Sequence, residues 1–239
     1  RVTEGEAVAI LSDTQSRKLN VRLTELALQL LGAKAFHVVM PSPRQSAPVP
    51  VRSTGASDAL QGLEPAIAAL SSSGMVVDLT VEGLLHAPEL TAILKGGARV
   101  LMISNEHPEA LERLVPDESL KTAVRAAVAR CRKANTMTVT SAAGSDLTVE
   151  LKECPAAGVW GWTDRPGTVA HWPGGVIVAF PKRHSVNGRL VMHPGDINLT
   201  FKRYLETPIA LIIEDDYVTA VEGDGMDAAL MREYYAAWD

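Results

Sequence analysis

Six histidines are the residues of this chain best suited to move protons or hold a metal: His37, His86, His107, His171, His184 and His193. An unperturbed imidazole titrates at about pH 6.5, so it can take and return a proton near neutrality. No two of the six lie three or four positions apart, so no pair sits on one helix face to grip a metal. His37 falls inside an apolar run, His184 in a charged turn beside Lys182 and Arg183, and His193 just ahead of Pro194-Gly195. Each of these settings suits a structural or exposed histidine. His86 and His171 stand apart. His86 follows Leu84-Leu85 and precedes Ala87-Pro88, between a strand-like run and a helix-like one. Open α/β sheets bind ligands at that edge. His171 lies in the stretch from Trp160 to Gly175, which holds three of the four tryptophans among glycines and prolines. Such a loop either lines a flat apolar pocket or anchors a domain junction. His86 and His171 are therefore the candidate catalytic groups. Trp162 and Trp172 are candidates for the flat apolar wall of a binding pocket. Glu106, just past another strand-like run, is a further candidate for substrate binding.

What is missing narrows the chemistry. There is no G-x-G-x-x-G, no G-x-x-x-x-G-K, no H-E-x-x-H and no G-x-S-x-G, so nucleotide, phosphate-loop, zinc-peptidase and nucleophile-elbow readings lack their motifs. Cys131 and Cys154 form no C-x-x-C pair and fit two reduced thiols of a cytoplasmic protein. A net charge of −5 argues against a nucleic-acid partner. No apolar run reaches the ~18 residues needed to cross a bilayer, and the start carries no signal-peptide pattern, so no membrane partner is expected. A chain opening at Arg1 is expected to have lost its natural N-terminus.

The elements that must position these residues change character along the chain. Ala7–Leu11 reads as a buried strand, and Ala35–Met40, Met75–Leu79 and Arg99–Ile103 read as further strands. Helical stretches alternate with them at Val21–Leu31, Leu60–Leu70 and Pro88–Lys95, and Ser119–Lys133 follows. That order predicts a parallel sheet covered by helices. The proline-rich run from Pro41 to Asp58 reads as a surface loop or lid. After Ala134 the pattern alternates in steps of two. Thr136–Thr140 and Asp146–Glu150 flank a turn, and strands continue at Val176–Phe180, Arg189–Met192, Ile209–Ile213 and Val218–Val221. Asp227–Asp239 reads as a helix without a capping signal. The expected architecture is α/β: a Rossmann-like parallel-sheet domain over 1–133, then a β-rich domain over 134–239 that is incomplete at its C-terminus.

Four pieces carry a resemblance: Leu84-Leu85-His86-Ala87-Pro88-Glu89; Ala143-Gly144-Ser145-Asp146; Asp164-Arg165-Pro166-Gly167 with His171-Trp172-Pro173; and Gly195-Asp196-Ile197 running on to Phe201-Lys202-Arg203-Tyr204. In this order they resemble the 2,5-dihydroxypyridine 5,6-dioxygenases, distant relatives of the aminopeptidase T metallopeptidases. The resemblance implies Fe(II), O2 and a small aromatic N-heterocycle as substrate, with cleavage of the C5–C6 bond to give N-formylmaleamate in pyridine catabolism. It implies two histidines and an aspartate as iron ligands, in a segment expected beyond Asp239, and no metal ligand within this chain. His86 and His171 match family positions that face the pocket near the iron. A glutamate often precedes the aromatic-Gly-aromatic piece in the family, where this chain has Val159. A homo-oligomer is expected. An aminopeptidase T-like metallopeptidase and a non-catalytic binding module remain the alternatives.

Overall fold

The computed structural model describes residues 1–41, 58–104, 106–198, 201 and 203–237. The expected loop or lid at Pro41–Asp58 falls almost wholly outside them. By compactness the described chain forms two units, residues 1–121 with 159–176 and residues 122–158 with 177–237.

The first unit opens with β1 (Ala7–Asp13), α1 (Lys18–Leu30) and β2 (Lys34–Met40). Next come α2 (Glu64–Ser71), β3 (Met75–Asp78), α3 (Glu89–Lys95), β4 (Arg99–Met102) and α4 (Pro108–Arg113). Every pairing among these strands is parallel, in the order β2-β1-β3-β4. β1 lies between β2 and β3, and its residues 8–13 are all buried. Its alternate side chains feed two layers: Ala9 and Leu11 join Ile67, Leu70, Leu90 and Ile93 on one face. Val8 and Ile10 join Leu28, Val77 and Leu111 on the other. This is why the strand reads as an unbroken apolar run: both of its faces are covered by helices. Gly32, at φ +71°, closes α1 in the left-handed conformation that glycine adopts most readily.

Helix α5 (Glu118–Cys131) leads into the second unit, where β5 (Thr136–Thr140), β6 (Asp146–Glu150) and β7 (Ala156–Val159) follow. The chain then makes β8 (Val169–His171), which rejoins the first unit, and β9 (Val176–Ala179), which pairs with β7. β10 (Val186–Met192), β11 (Ile197–Asn198), β12 (Arg203–Tyr204), β13 (Ile209–Glu214), β14 (Tyr217–Glu222) and α6 (Met226–Ala236) complete it. Strands β14-β13-β10-β6-β5 form an antiparallel sheet. Ile209 and Leu211 of that sheet pack with Ala228 and Met231 of α6. The expected α/β class, parallel layer first and β-rich part second, is what forms. Antiparallel pairing begins at Thr136, whereas compactness divides the chain after Lys121 and returns residues 159–176 to the first unit.

One expectation needs correction. The stretch from Trp160 to Gly175 is not loop throughout, because β8 lies inside it and pairs in parallel with β4 as the fifth strand of the first sheet. Three residues are too few to show a period of two, so glycine and proline content dominated the sequence pattern there.

Candidate active site

The carboxyl ends of β3, β4 and β8 carry most of the candidate residues on one edge of the parallel sheet. His86 sits in the turn after β3, exposed beside the partly exposed Leu85. Glu106 follows β4, and its backbone carbonyl accepts a hydrogen bond from Asn20 Nδ2 at 2.8 Å. His171 ends β8 opposite Met102. Trp172 continues from it, tied by its amide to the Met102 carbonyl at 2.9 Å and by its indole N–H to the Leu114 carbonyl at 2.9 Å.

The ring of His171 is oriented. Its Nδ1 lies 2.9 Å from the Pro173 carbonyl oxygen. That oxygen can only accept, so Nδ1 carries the proton and neutral His171 keeps its lone pair on Nε2. Nε2 is then the nitrogen free to accept a proton or a hydrogen bond from a ligand.

The turn bearing His86 is organised by two buried carboxylates that motif searching missed. Asp78, at the end of β3, accepts from the Thr80 amide at 3.0 Å, the Thr80 hydroxyl at 2.6 Å and the Leu84 amide at 2.8 Å. Asp13, at the end of β1, accepts from the Val81 amide at 2.7 Å. Burial raises the Asp78 carboxyl to about 6, against the pull of the Thr80 and Leu84 donors, and the nearby Asp13 charge raises it further. The available signal was an acid closing a fully apolar strand, as in Met75-Val76-Val77-Asp78. Such an acid is costly to bury unless it has donors to collect. Beside it, Ser104 adopts a positive φ of 53°, and its hydroxyl lies 2.8 Å from where a side chain on Gly83 would begin. Gly83 is thus fixed by space as well as by its own φ of +74°.

Trp162 is not brought to this edge. It lines a cavity of about 340 Å³ with Met75 and Arg99, the first residues of β3 and β4, at the amino end of the sheet. Trp160 and Trp162 meet edge to face at 6.3 Å, and the Lys121 ammonium lies 5.4 Å and 5.6 Å from their ring centroids. Asp164 holds that ammonium at 3.2 Å. Trp162 and Trp172 therefore serve opposite ends of one sheet.

The other histidines lie away from this edge or play local roles. His37 is exposed on β2, 3.8 Å from Glu25. His107 accepts from the Glu109 amide at the start of α4. His184 and His193 lie in exposed turns of the second unit. Two of the quoted sequence pieces also prove structural. The Ser145 hydroxyl accepts from the Val191 amide at 3.0 Å, and Asp196 accepts from the His193 amide at 2.7 Å. Both cysteines are free thiols. Among the described residues no three His, Cys, Asp or Glu side chains converge to hold a metal. The described residues thus do not fit an iron centre of their own. Among the same residues no helix is long and apolar enough to cross a membrane.

Comparison with known proteins gives a consistent picture. The family model described as NicX, 2,5-dihydroxypyridine 5,6-dioxygenase, matches residues 1–239. The 2,5-dihydroxypyridine 5,6-dioxygenase of Pseudomonas putida is 37% identical over 236 residues, covering 98% of this chain and 66% of that protein. The chain thus spans just under two thirds of that relative's length. The solved structure of the 2,5-dihydroxypyridine dioxygenase from Pseudomonas putida KT2440 superposes with a TM-score of 0.86 at 37% identity, covering 98% of this chain and 67% of that one. Wild-type AmpT from Thermus thermophilus superposes with a TM-score of 0.57 at 15% identity, covering 97% of this chain and 70% of that one, a likeness of fold alone.

Proposed function

Because the chain belongs to the 2,5-dihydroxypyridine 5,6-dioxygenase family, we propose that it takes part in opening the ring of 2,5-dihydroxypyridine with O2, as an oxidoreductase of the cytoplasm. The reaction is of the extradiol type: both atoms of O2 enter the product, and the C5–C6 bond breaks. Fe(II) belongs to this reading as a group that would supply O2 activation, and the described residues offer no side-chain cluster that would hold it. The share of the work assigned to this chain is proton handling and ring placement at the carboxyl edge of the first sheet.

The observation that carries the reading is the oriented His171 ring. With Nδ1–H given to the Pro173 carbonyl, Nε2 is the nitrogen left to take a proton from a substrate hydroxyl. His86, exposed on the turn after the neighbouring strand β3, is the second proton-handling group, suited to returning a proton as the ring opens. Trp172, on the same edge, provides a flat apolar face for the ring, and Glu106 offers a carboxylate to the ring nitrogen or hydroxyl. Trp162 shares in this reading only as support for the fold of the tryptophan-rich stretch.

Replacing His86 or His171 with alanine, in a protein as long as its relatives, tests the assignment. Turnover of 2,5-dihydroxypyridine is expected to fall by roughly 10²-fold or more, the usual scale for a lost proton-transfer group, with iron content unchanged. Loss of iron together with activity would make the residue a ligand or its support, and near-normal turnover in both variants would remove them from the chemistry.

A further inference from the structure

Helix α1 turns a line of leucines to solvent. Leu19, Leu23, Leu26 and Leu30 are 55%, 48%, 52% and 89% exposed. At 3.6 residues per turn the four fall within an arc of about 60°. Leu28, which α1 buries in the core, lies on the opposite side of the helix, and the buried Asn20 flanks the stripe. This helix therefore has two apolar faces, and its own sheet covers only one. Spacings of four, three and four are those of a helix–helix seam. A contiguous exposed apolar stripe on a folded unit marks an interaction surface.

The spacing also reads the same in both directions about the midpoint between Thr24 and Glu25. A two-fold axis through that midpoint sets Leu19 against the partner's Leu30 and Leu23 against the partner's Leu26. A patch that matches itself under two-fold rotation is what an isologous dimer needs. The charges agree with that direction. Helix α1 has no acidic residue in its first turn and no basic residue in its last, while Arg17 and Lys18 stand at its start. That arrangement opposes the helix's own dipole. At the other end, the Glu4 side chain lies beside Gly32, 3.0 Å from where a side chain there would begin. Antiparallel pairing places the cations of each helix by the carbonyl end and Glu4 region of its neighbour, supplying the counter-charge each lacks.

We propose that the outer face of α1 is a two-fold docking surface for a second copy of this chain, its leucines meeting antiparallel. Sedimentation of the full-length protein is expected to give at least twice the protomer mass. Leu23→Asp combined with Leu26→Asp is expected to yield a smaller assembly with unchanged far-UV circular dichroism, since both side chains are outside the core. In a Cys131→Ala background, a double variant Leu19→Cys/Leu30→Cys treated with a short bis-maleimide should form covalent dimers, and either single variant should not. A parallel arrangement would cross-link Leu19→Cys to itself and overturn the proposal. So would a monomeric protein, or an assembly whose mass the two aspartates leave unchanged; either result would assign the stripe to another segment or another protein.

Discussion

Asp13, at the end of β1, accepts a hydrogen bond at 2.7 Å from the amide of Val81, 68 positions further along the chain. Val81 belongs to the turn that Asp78 also grips through Thr80 and Leu84. The order β2-β1-β3 makes the gap between β1 and β3 the point where successive connections leave in opposite directions, the usual place for a ligand in such sheets. Here the two carboxylates use that place to fix the segment leading to His86. The crevice positions the turn that bears His86 through its backbone.

Removing one clamp should therefore loosen the turn before it unfolds the sheet. Asp13→Ala leaves the buried Val81 amide without its acceptor, a loss of about 1–3 kcal/mol. Hydrogen exchange at Val81 and Leu84 is expected to rise more than at Val8 or Ile10, with turnover falling alongside. Equal acceleration across the whole first unit would show that Asp13 supports the sheet as a whole.

The raised Asp78 carboxyl gives a signed pH dependence. Its folded value of about 6 lies above the ordinary 3.8, so the native state holds the proton through that window and the unfolded state does not. Stability from this group is complete below pH 4 and is lost as the pH rises through about 6, on the order of 3 kcal/mol in all. The Asp227 carboxyl runs the other way: the Glu206 and Thr207 amides hold it below its usual range, so its contribution is lost only as the pH falls below about 4. Urea unfolding of wild type and Asp78→Asn between pH 4 and 7 measures the first effect. The stability difference should shift in favour of the variant as the pH rises, and a constant difference would show that Asp78 ionises normally.

The two tryptophans should separate in kinetics. Trp172 continues from His171 on the carboxyl edge, whereas Trp162 lines the cavity by Met75 and Arg99 at the other end. Trp172→Ala is expected to raise KM or lower kcat by at least tenfold. Trp162→Phe should leave both within about twofold, because the aromatic body is retained away from the chemistry. The reverse order of sensitivity would move the substrate to the amino edge.

How much was legible follows from which forces act locally. β1 announces itself because a strand covered on both faces must be apolar throughout, and β5 and β6 because each alternates. Gly32 ends α1 for a reason visible in one residue. Strand β8 left no trace, since its partner is β4, more than sixty residues away, and three residues carry no period. The same holds for the site. His86 and His171 stood out by their neighbours, but the clamp on the His86 turn depends on Asp13, whose role exists only once β1 lies beside β3. Trp162 was grouped with Trp172 by proximity in sequence, and the short strand between them carries the chain from one end of the sheet to the other.

That passage makes one glycine indispensable. Gly174 follows the His171-Trp172-Pro173 turn, and a Cβ built on it would lie 2.3 Å from the Trp160 carbonyl carbon, 2.4 Å from the Gly161 nitrogen and 2.6 Å from the Trp160 oxygen. All three are backbone atoms, so no side-chain rotation relieves the contact. Gly174→Ala must push apart the two arms of the tryptophan-rich stretch, and one of those arms supplies the Pro173 carbonyl that orients His171. The variant is expected to lose roughly 1–3 kcal/mol or more of stability, the scale of overpacking. Where enough folds to assay, turnover should fall further than the folded fraction does, because His171 loses its orientation. Gly175→Ala is the control for space. Its neighbour in that direction is the Leu120 side chain at 3.5 Å, an ordinary contact, so its only strain comes from a φ of +89°. Calorimetric melting of both variants tests the argument: Gly174→Ala should melt well below Gly175→Ala, and equal melting temperatures would show that the backbone of this turn can shift to make room.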